Sequence, residues 1–302
     1  MPTTQSTAIK TPANVSARQT LPNNKYSLYN KGDTLNTMGN YTQAIQYFDK
    51  ALAIDPKFED ALYDKGDALN NLGNYTQAIR YLDKALAIDP TDEAALNDRG
   101  WALDGLGNYS GAIIYLDKAL AIDPNDKYAL NNKGWARNGL GNYTGAITYL
   151  DKALAIDANY KWALYNKGDA LNGLGRHEQA IQYFDKALAL DPKFEDALSY
   201  KGGALSNLGN YTGAITYFNR ALAIDPHDKF AIVGLAQANR LHQLTHSSRI
   251  LRLSWCIYAC YICHFHMCRI YDIQIAHDHY LMMMIGIVQV YVSSLNRTPR
   301  SY

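Results

Sequence analysis

The chain repeats itself every 34 residues, and that period restricts its fold more than any other property. Gly39, Gly73, Gly107, Gly141, Gly175 and Gly209 stand one step apart, and Gly32, Gly66, Gly100, Gly134, Gly168 and Gly202 keep the same step. The segment Gly141–Asp157, GNYTGAITYLDKALAID, returns at Gly209–Asp225 with three changes and in looser form four more times. A period of this length marks a stacked array in which each unit leans on its neighbours. Six units result: 25–58, 59–92, 93–126, 127–160, 161–194 and 195–228.

Each unit reads as two helices. The first covers roughly thirteen residues, Tyr26–Met38 in unit one, a length of about 20 Å. In unit two, Ala61, Leu62, Gly66, Leu69 and Leu72 form one small or apolar stripe at helical spacing. Gly73-Asn74 breaks that helix, because glycine accepts the left-handed geometry of a helix end. Thr76 is expected to cap the second helix, whose buried side is Ala78, Ile79, Leu82, Ala85, Leu86 and Ile88. Asp89-Pro90 stops it. Ala158 replaces the proline in unit four, so that unit's second helix is expected to run on toward Lys161. The glycine inside each first helix costs about 1 kcal/mol against alanine. A close approach to the alanine twelve residues later (Ala44, Ala78, Ala112, Ala146, Ala180, Ala214) would offset it. A second alanine row (Ala51, Ala85, Ala119, Ala153, Ala187, Ala221) lets the next unit dock.

The period and the pattern Gly32, Ala44, Phe48, Ala51, Pro56 resemble the tetratricopeptide repeat, and the resemblance covers residues 25–228. It implies an all-α, right-handed superhelical solenoid of six helix-turn-helix repeats. Residues 229–244 add a capping helix, with Ala231, Ile232, Leu235, Ala238 and Leu241 on one side. There are departures: leucine stands where the family has its first aromatic, and Lys or Arg precedes the first glycine of each unit where the family has leucine.

Net charge argues against nucleic acid as a partner. Residues 25–228 carry 26 acids and 20 bases, a net of −6, whereas phosphate backbones need clustered Lys and Arg. Catalytic sets are absent from the repeats. The aspartate row at 55, 89, 123, 157, 191 and 225 recurs because the turn recurs, and His177, His227 and His242 are isolated. Neither enzymatic activity nor a cofactor is expected. The tripeptides Asn40-Tyr41-Thr42, Asn74-Tyr75-Thr76, Asn108-Tyr109-Ser110, Asn142-Tyr143-Thr144 and Asn210-Tyr211-Thr212 match the glycosylation acceptor pattern, but turn and cap chemistry accounts for them.

Function is read from positions where the copies disagree. The resemblance implies a concave wall built by first-helix residues off the core stripe. These are Tyr26, Tyr29, Asp33 and Asn36; Asp60, Tyr63, Asp67 and Asn70; Asn97, Trp101 and Asp104; Tyr128, Asn131, Trp135 and Asn138; and Trp162, Tyr165, Asp169 and Asn172. Large aromatics with a polar tip serve as binding anchors. The expectation is a non-enzymatic scaffold or adaptor that grips a peptide or protein segment, with basic residues meeting Asp33, Asp67, Asp104 and Asp169. Tyr29 and Asp33 stand at the first positions where carboxylate-binding members of the family place Lys and Asn, so that mode is not expected. The alternatives are an array that packs on its own copies as a homo-oligomer, or a targeting subunit for a separate catalytic chain.

The flanks differ from the repeats. Residues 1–24 are rich in Thr, Ser, Pro and Asn, are expected to be disordered, and lack the apolar run of a secretory signal. The tail, 245–302, holds all four cysteines: Cys256, Cys260, Cys263 and Cys268, interleaved with His264 and His266. Six candidate ligands packed this closely lack the loop that separates ligand pairs in zinc fingers, so an unselected extension is favoured over a metal site. Tyr280–Val292 is shorter than the roughly 20 residues of a spanning helix. A cysteine-free array fits a reducing, cytoplasmic setting.

Overall fold

The structure is a computed structural model and describes residues 24–245 and 247. The leader, and the tail with its candidate ligands Cys256, Cys260, Cys263, His264, His266 and Cys268, lie outside the described residues. The chain divides into two units after Leu241. Of the second, the described residues only finish a helix, where Thr245 Oγ1 donates to the His242 carbonyl at 2.8 Å.

The first unit is all helix among its described residues. Repeat one is α1 (Lys25–Thr37) and α2 (Tyr41–Ile54); repeat two is α3 (Glu59–Asn71) and α4 (Tyr75–Leu86). Repeat three is α5 (Glu93–Gly105) and α6 (Tyr109–Ile122), and repeat four is α7 (Lys127–Gly139) and α8 (Tyr143–Ile156). Repeats five and six are α9 (Lys161–Gly173) with α10 (His177–Leu190), and α11 (Glu195–Asn207) with α12 (Tyr211–Leu222). A last helix, α13, covers 229–245. Every helix packs on its sequence neighbour through α12, which is the pattern of an all-α repeat solenoid.

The turn inside each repeat is set by one backbone requirement. Gly39, Gly73, Gly107, Gly141, Gly175 and Gly209 all have φ between 73° and 78°, a region closed to most side chains. The following residue takes the N-cap position of the second helix, and in repeats three, four and six its side chain makes the capping bond. Asn108, Asn142 and Asn210 each accept the N–H three residues on, at 3.0 Å. Asn74, not Thr76, holds the cap position of α4, and the threonine is the second residue of the helix. That use of asparagine accounts for the Asn of the tripeptide in repeats three, four and six.

The close approach at the first-helix glycine is made by a different partner from the one expected. A Cβ on Gly66, Gly100 or Gly134 would stand 2.6–2.7 Å from the Leu82, Leu116 or Leu150 side chain, sixteen residues on. On Gly32 and Gly168 it would strike the Phe48 and Phe184 rings at 2.6 Å. The alanine twelve residues on presents only its carbonyl, 3.3–3.5 Å away in repeats two to four. Both alanine rows are fully buried. Of the expected stripes, Leu72 and Ile88 are exposed, and so is Ile232 on α13. Ala231, Leu235 and Ala238 of α13 pack on the cluster that holds Phe218 and Ala221.

Helix α8 does not run on toward Lys161. It ends at Ile156, and Asp157 is extended at φ −137°, ψ 96°, like Asp55 and Asp191 before prolines. The aspartate is what ends it. Asp157 accepts the Asn159 N–H at 3.0 Å, and its carbonyl accepts the Tyr160 N–H at 3.1 Å. The same turn forms at all six aspartates, with or without proline. Because the backbone already adopts the geometry of its proline-bearing siblings, Ala158→Pro is expected to stabilise the chain by about 0.4–1 kcal/mol through the unfolded state. A raised urea midpoint at unchanged slope would show this; a lowered midpoint would mean the turn differs from the others.

Cations link the repeats. In repeats two to six the residue before the first-helix glycine reaches back to an aspartate of the preceding repeat: Lys65 to Asp49, Arg99 to Asp83, Lys133 to Asp117, Lys167 to Asp151 and Lys201 to Asp185. Each also lies 3.7–4.2 Å from the centroid of a tyrosine ring of its own repeat, Tyr81, Tyr115, Tyr149, Tyr183 or Tyr217. Lys65, Lys133 and Lys201 are thereby buried, a placement open to a lysine only when it is paired. The departure from the family's leucine is thus a matched set: base, acid and ring.

Candidate functional site

First helices of successive repeats touch one another, from α1–α3 to α9–α11, whereas among the described residues no second helix touches the next second helix. The array therefore closes on its first-helix side, and those helices form the inner wall. The expected site residues occupy positions 2, 5, 9 and 12 of each 34-residue repeat.

Position 2 carries aromatics in three repeats, and each meets an aromatic at position 34 edge-on. Ring centroids are 5.4 Å apart for Tyr26–Phe58, 5.6 Å for Tyr128–Tyr160 and 4.6 Å for Trp162–Phe194. The same repeats begin with Lys25, Lys127 and Lys161, which bind Asp55, Asp157 and Asp191 at 2.5, 2.6 and 2.6 Å. Those hydrogen bonds hold the three carboxyls below the usual range. Repeats two, three and six instead begin with glutamate and end with aspartate. Burial, then the facing Asp126 or Asp228, pushes Glu93 and Glu195 up to about 8.

Position 5 of one repeat faces position 6 of the next. The Tyr29 hydroxyl bonds Asp64 and the Tyr63 hydroxyl bonds Asp98. Asn132 Nδ2 donates to Asn97 Oδ1 at 3.0 Å, and Asn166 Nδ2 to Asn131 Oδ1 at 2.9 Å. The Tyr165 and Tyr200 rings meet edge-on at 5.3 Å. Burial drives Asp64 and Asp98 well above the usual carboxylate range.

Position 12 faces position 9 of the next repeat in the same way. Asn36 Nδ2 donates to Asp67 at 2.9 Å and Asn138 Nδ2 to Asp169 at 2.5 Å; the Trp135 indole donates to Asp104. Asn70 donates to the Asp98 carbonyl at 2.9 Å, and Asn172 meets His177 Nδ1 at 2.6 Å. Burial pushes Asp104 up to about 7 and Asp169 to about 6.

Much of the variation between copies is therefore variation in matched pairs across the joints. Asn70, Asn97, Asn131 and Tyr165 are at most 4% exposed and Trp101, against Tyr75 at 6.4 Å, is 5% exposed. Asp104 and Asn138 are also buried. Tyr26 is exposed, and Tyr29, Asp33, Asn36, Tyr63, Asp67, Trp135, Trp162, Asp169 and Asn172 are half-buried on the wall. The sequence contained this signal, since the pairs emerge when position 5 is compared with position 6 one repeat on. Aligning the copies under one another hides it.

Sequence profiles described as tetratricopeptide repeat match residues 35–95, 72–131, 128–193 and 165–229. The chain is a tetratricopeptide repeat protein. Its fold is similar to a chain of the APC/C hetero-tetramer Cut9–Hcn1, with TM-score 0.66 and 22% identity over 72% of this chain and 43% of that one. PilW, a type IV pilus biogenesis factor, gives TM-score 0.61 and 26% identity over 70% of this chain and 98% of its own. A tetratricopeptide repeat protein from Parabacteroides merdae gives TM-score 0.62 and 18% identity over 73% and 86%. No curated protein matches the chain. Among the described residues no helix of this tetratricopeptide repeat protein is long and apolar enough to cross a membrane.

Proposed function

We propose that the protein is an interaction scaffold that holds an extended or helical segment of another protein along its inner wall. The observation that carries this reading is the placement of three aromatic pairs, Tyr26–Phe58, Tyr128–Tyr160 and Trp162–Phe194, along the first-helix side. The half-buried acids Asp33, Asp60 and Asp67 lie on the first helices α1 and α3. Aromatic anchors with a polar rim favour a peptide, and the acids favour one with Lys or Arg. The work of the chain is binding, with no bond made or broken.

The test is selection from a random peptide library on the full chain, followed by calorimetry on the selected peptides. Basic sequences are expected, with binding that weakens several-fold as ionic strength rises from about 0.05 to 0.5 M. Trp162→Ala is expected to cost more than about 1 kcal/mol of binding while leaving the far-UV spectrum unchanged. Neutral or acidic selected peptides, or equal affinity for Trp162→Ala, would sink the reading.

A further inference from the structure

The five internal joints describe what the open end of the array is built to receive. In each, a second helix lays Ile-x3-Asp-x2-Leu on the repeat that follows: Ile45, Asp49 and Leu52 in α2, Ile147, Asp151 and Leu154 in α8. Ile45 packs on the cluster of Leu69 and Leu82, Leu86 on that of Leu96 and Leu116, and Ile147 with Leu154 on that of Leu164 and Phe184. The aspartate between them pairs with the base before the glycine. The spacing i, i+4, i+7 puts all three on one helix face.

Repeat one has the receiving half of this joint, and among the described residues no second helix lies on it. Lys31 holds the same position as Lys65 and Lys133, yet it is exposed and has no carboxylate partner among the described residues. Its ammonium stands 5.9 Å from the Tyr47 ring, where its counterparts are drawn to 3.7–4.2 Å. A pocket of about 560 Å³ opens between α1 and α2, lined by Ser27, Asn30, Lys31, Thr34, Leu35 and Tyr47. The far end is finished differently: Asn219 stands in the aspartate row and Leu235 in the lysine row, so that joint is closed without charge.

We propose that this N-terminal face is a docking socket for an amphipathic helix of a partner protein that presents Asp or Glu to Lys31, with Ile four residues before it and Leu three after. Charge complementarity selects that occupant over the nearer ones. Residues 1–23 contain no Asp or Glu and add Lys10 and Arg18. A second copy has no such helix to offer, because the five that carry the motif are already seated in internal joints and the sixth carries Asn219. The socket is separate from the inner wall, so it stands or falls independently of the peptide reading above.

The probe is a fluorescent peptide of sequence YTQAIQYFDKALAI (residues 41–54), stapled between its positions 46 and 50, which are exposed in α2. Anisotropy with the full chain is expected to show saturable binding. Lys31→Glu, an exposed change expected to leave the circular dichroism spectrum intact, should weaken it at least tenfold. A peptide carrying Asp49→Lys should fail on the unaltered chain and bind the Lys31→Glu chain, which a merely sticky apolar face would not reproduce. Absence of saturable binding, including by a face its own leader covers, overturns the proposal, and so does equal affinity for Lys31→Glu. Concentration-dependent self-association abolished by Lys31→Glu would assign the face to a second copy and also overturn it.

Discussion

Phe184→Ala is expected to lower the stability of the array by about 3–5 kcal/mol, the usual cost of emptying a buried phenylalanine site. The ring is fully buried at the centre of repeat five, with Tyr165 and Tyr200 at 6.1 and 6.4 Å. It fills the space that Gly168 leaves open, where a Cβ would come within 2.6 Å of the ring edge. This geometry makes a sharper expectation about the pair. In the native chain Gly168→Ala drives a methyl into a ring held on both sides, and overpacking of about 1–3 kcal/mol outweighs the roughly 1 kcal/mol gained in helix propensity. In the Phe184→Ala chain the same methyl enters a cavity, so the propensity gain stands and the substitution stabilises. The sign should reverse between backgrounds, an interaction of about 0.5–3 kcal/mol in a double-mutant cycle. Gly168→Ala having one effect in both, by urea denaturation, would show that the glycine answers to something other than the ring.

That pair also shows which parts of the fold were legible. The period, the left-handed glycine, the helix pairs and the alanine rows follow from residue spacing alone. The partner of Gly168 did not, because a glycine has no side chain to show which residue it faces; the volume that replaces it lies one turn farther along the second helix. The continuation of α8 past Ala158 was misread for a related reason. Proline is the conspicuous residue of the turn, but the Asp157 carboxylate and carbonyl make its bonds, and aspartate is present in all six. At the candidate site, position 5 varies with position 6 of the next repeat, and position 12 is matched to position 9 of the next repeat at three of the joints. Tyr29–Asp64 and Asn97–Asn132 solve one joint in two ways, so variability alone does not separate a joint from a binding surface. What the structure adds is burial, which assigns Asn97 and Asn131 to the joints and leaves Tyr26 and Trp162 on the wall.

The buried carboxyls make the array more stable in mild acid than in mild base. Asp104 is held up at about 7 and Asp169 at about 6, against an ordinary 3.8, by burial at the joints between repeats three and four and between four and five. Between 3.8 and those values the folded chain binds protons that the unfolded chain has released, so stability falls as pH climbs through the window. Asp64 and Asp98 shift in the same direction, and Glu93 and Glu195, at about 8, extend the effect upward. The opposite sign belongs to Asp55, Asp157 and Asp191, whose lysine partners lower them; their contribution is present above 3.8 and is lost in stronger acid. Stability should therefore peak near about pH 4 and decline toward pH 8. A net change of about 2 kcal/mol would move Tm by roughly 4–8 °C for a chain of this size. Asp104→Asn with Asp169→Asn keeps an acceptor for the Trp135 indole and the Asn138 amide while removing the two titrations. That double variant should melt higher than the native chain at pH 8, approach it near about pH 4, and show a flatter profile between. A native profile that rises from pH 5 to pH 8, or one the double variant leaves unchanged, would mean that these carboxyls meet water in the folded chain and that the joints are looser than their geometry.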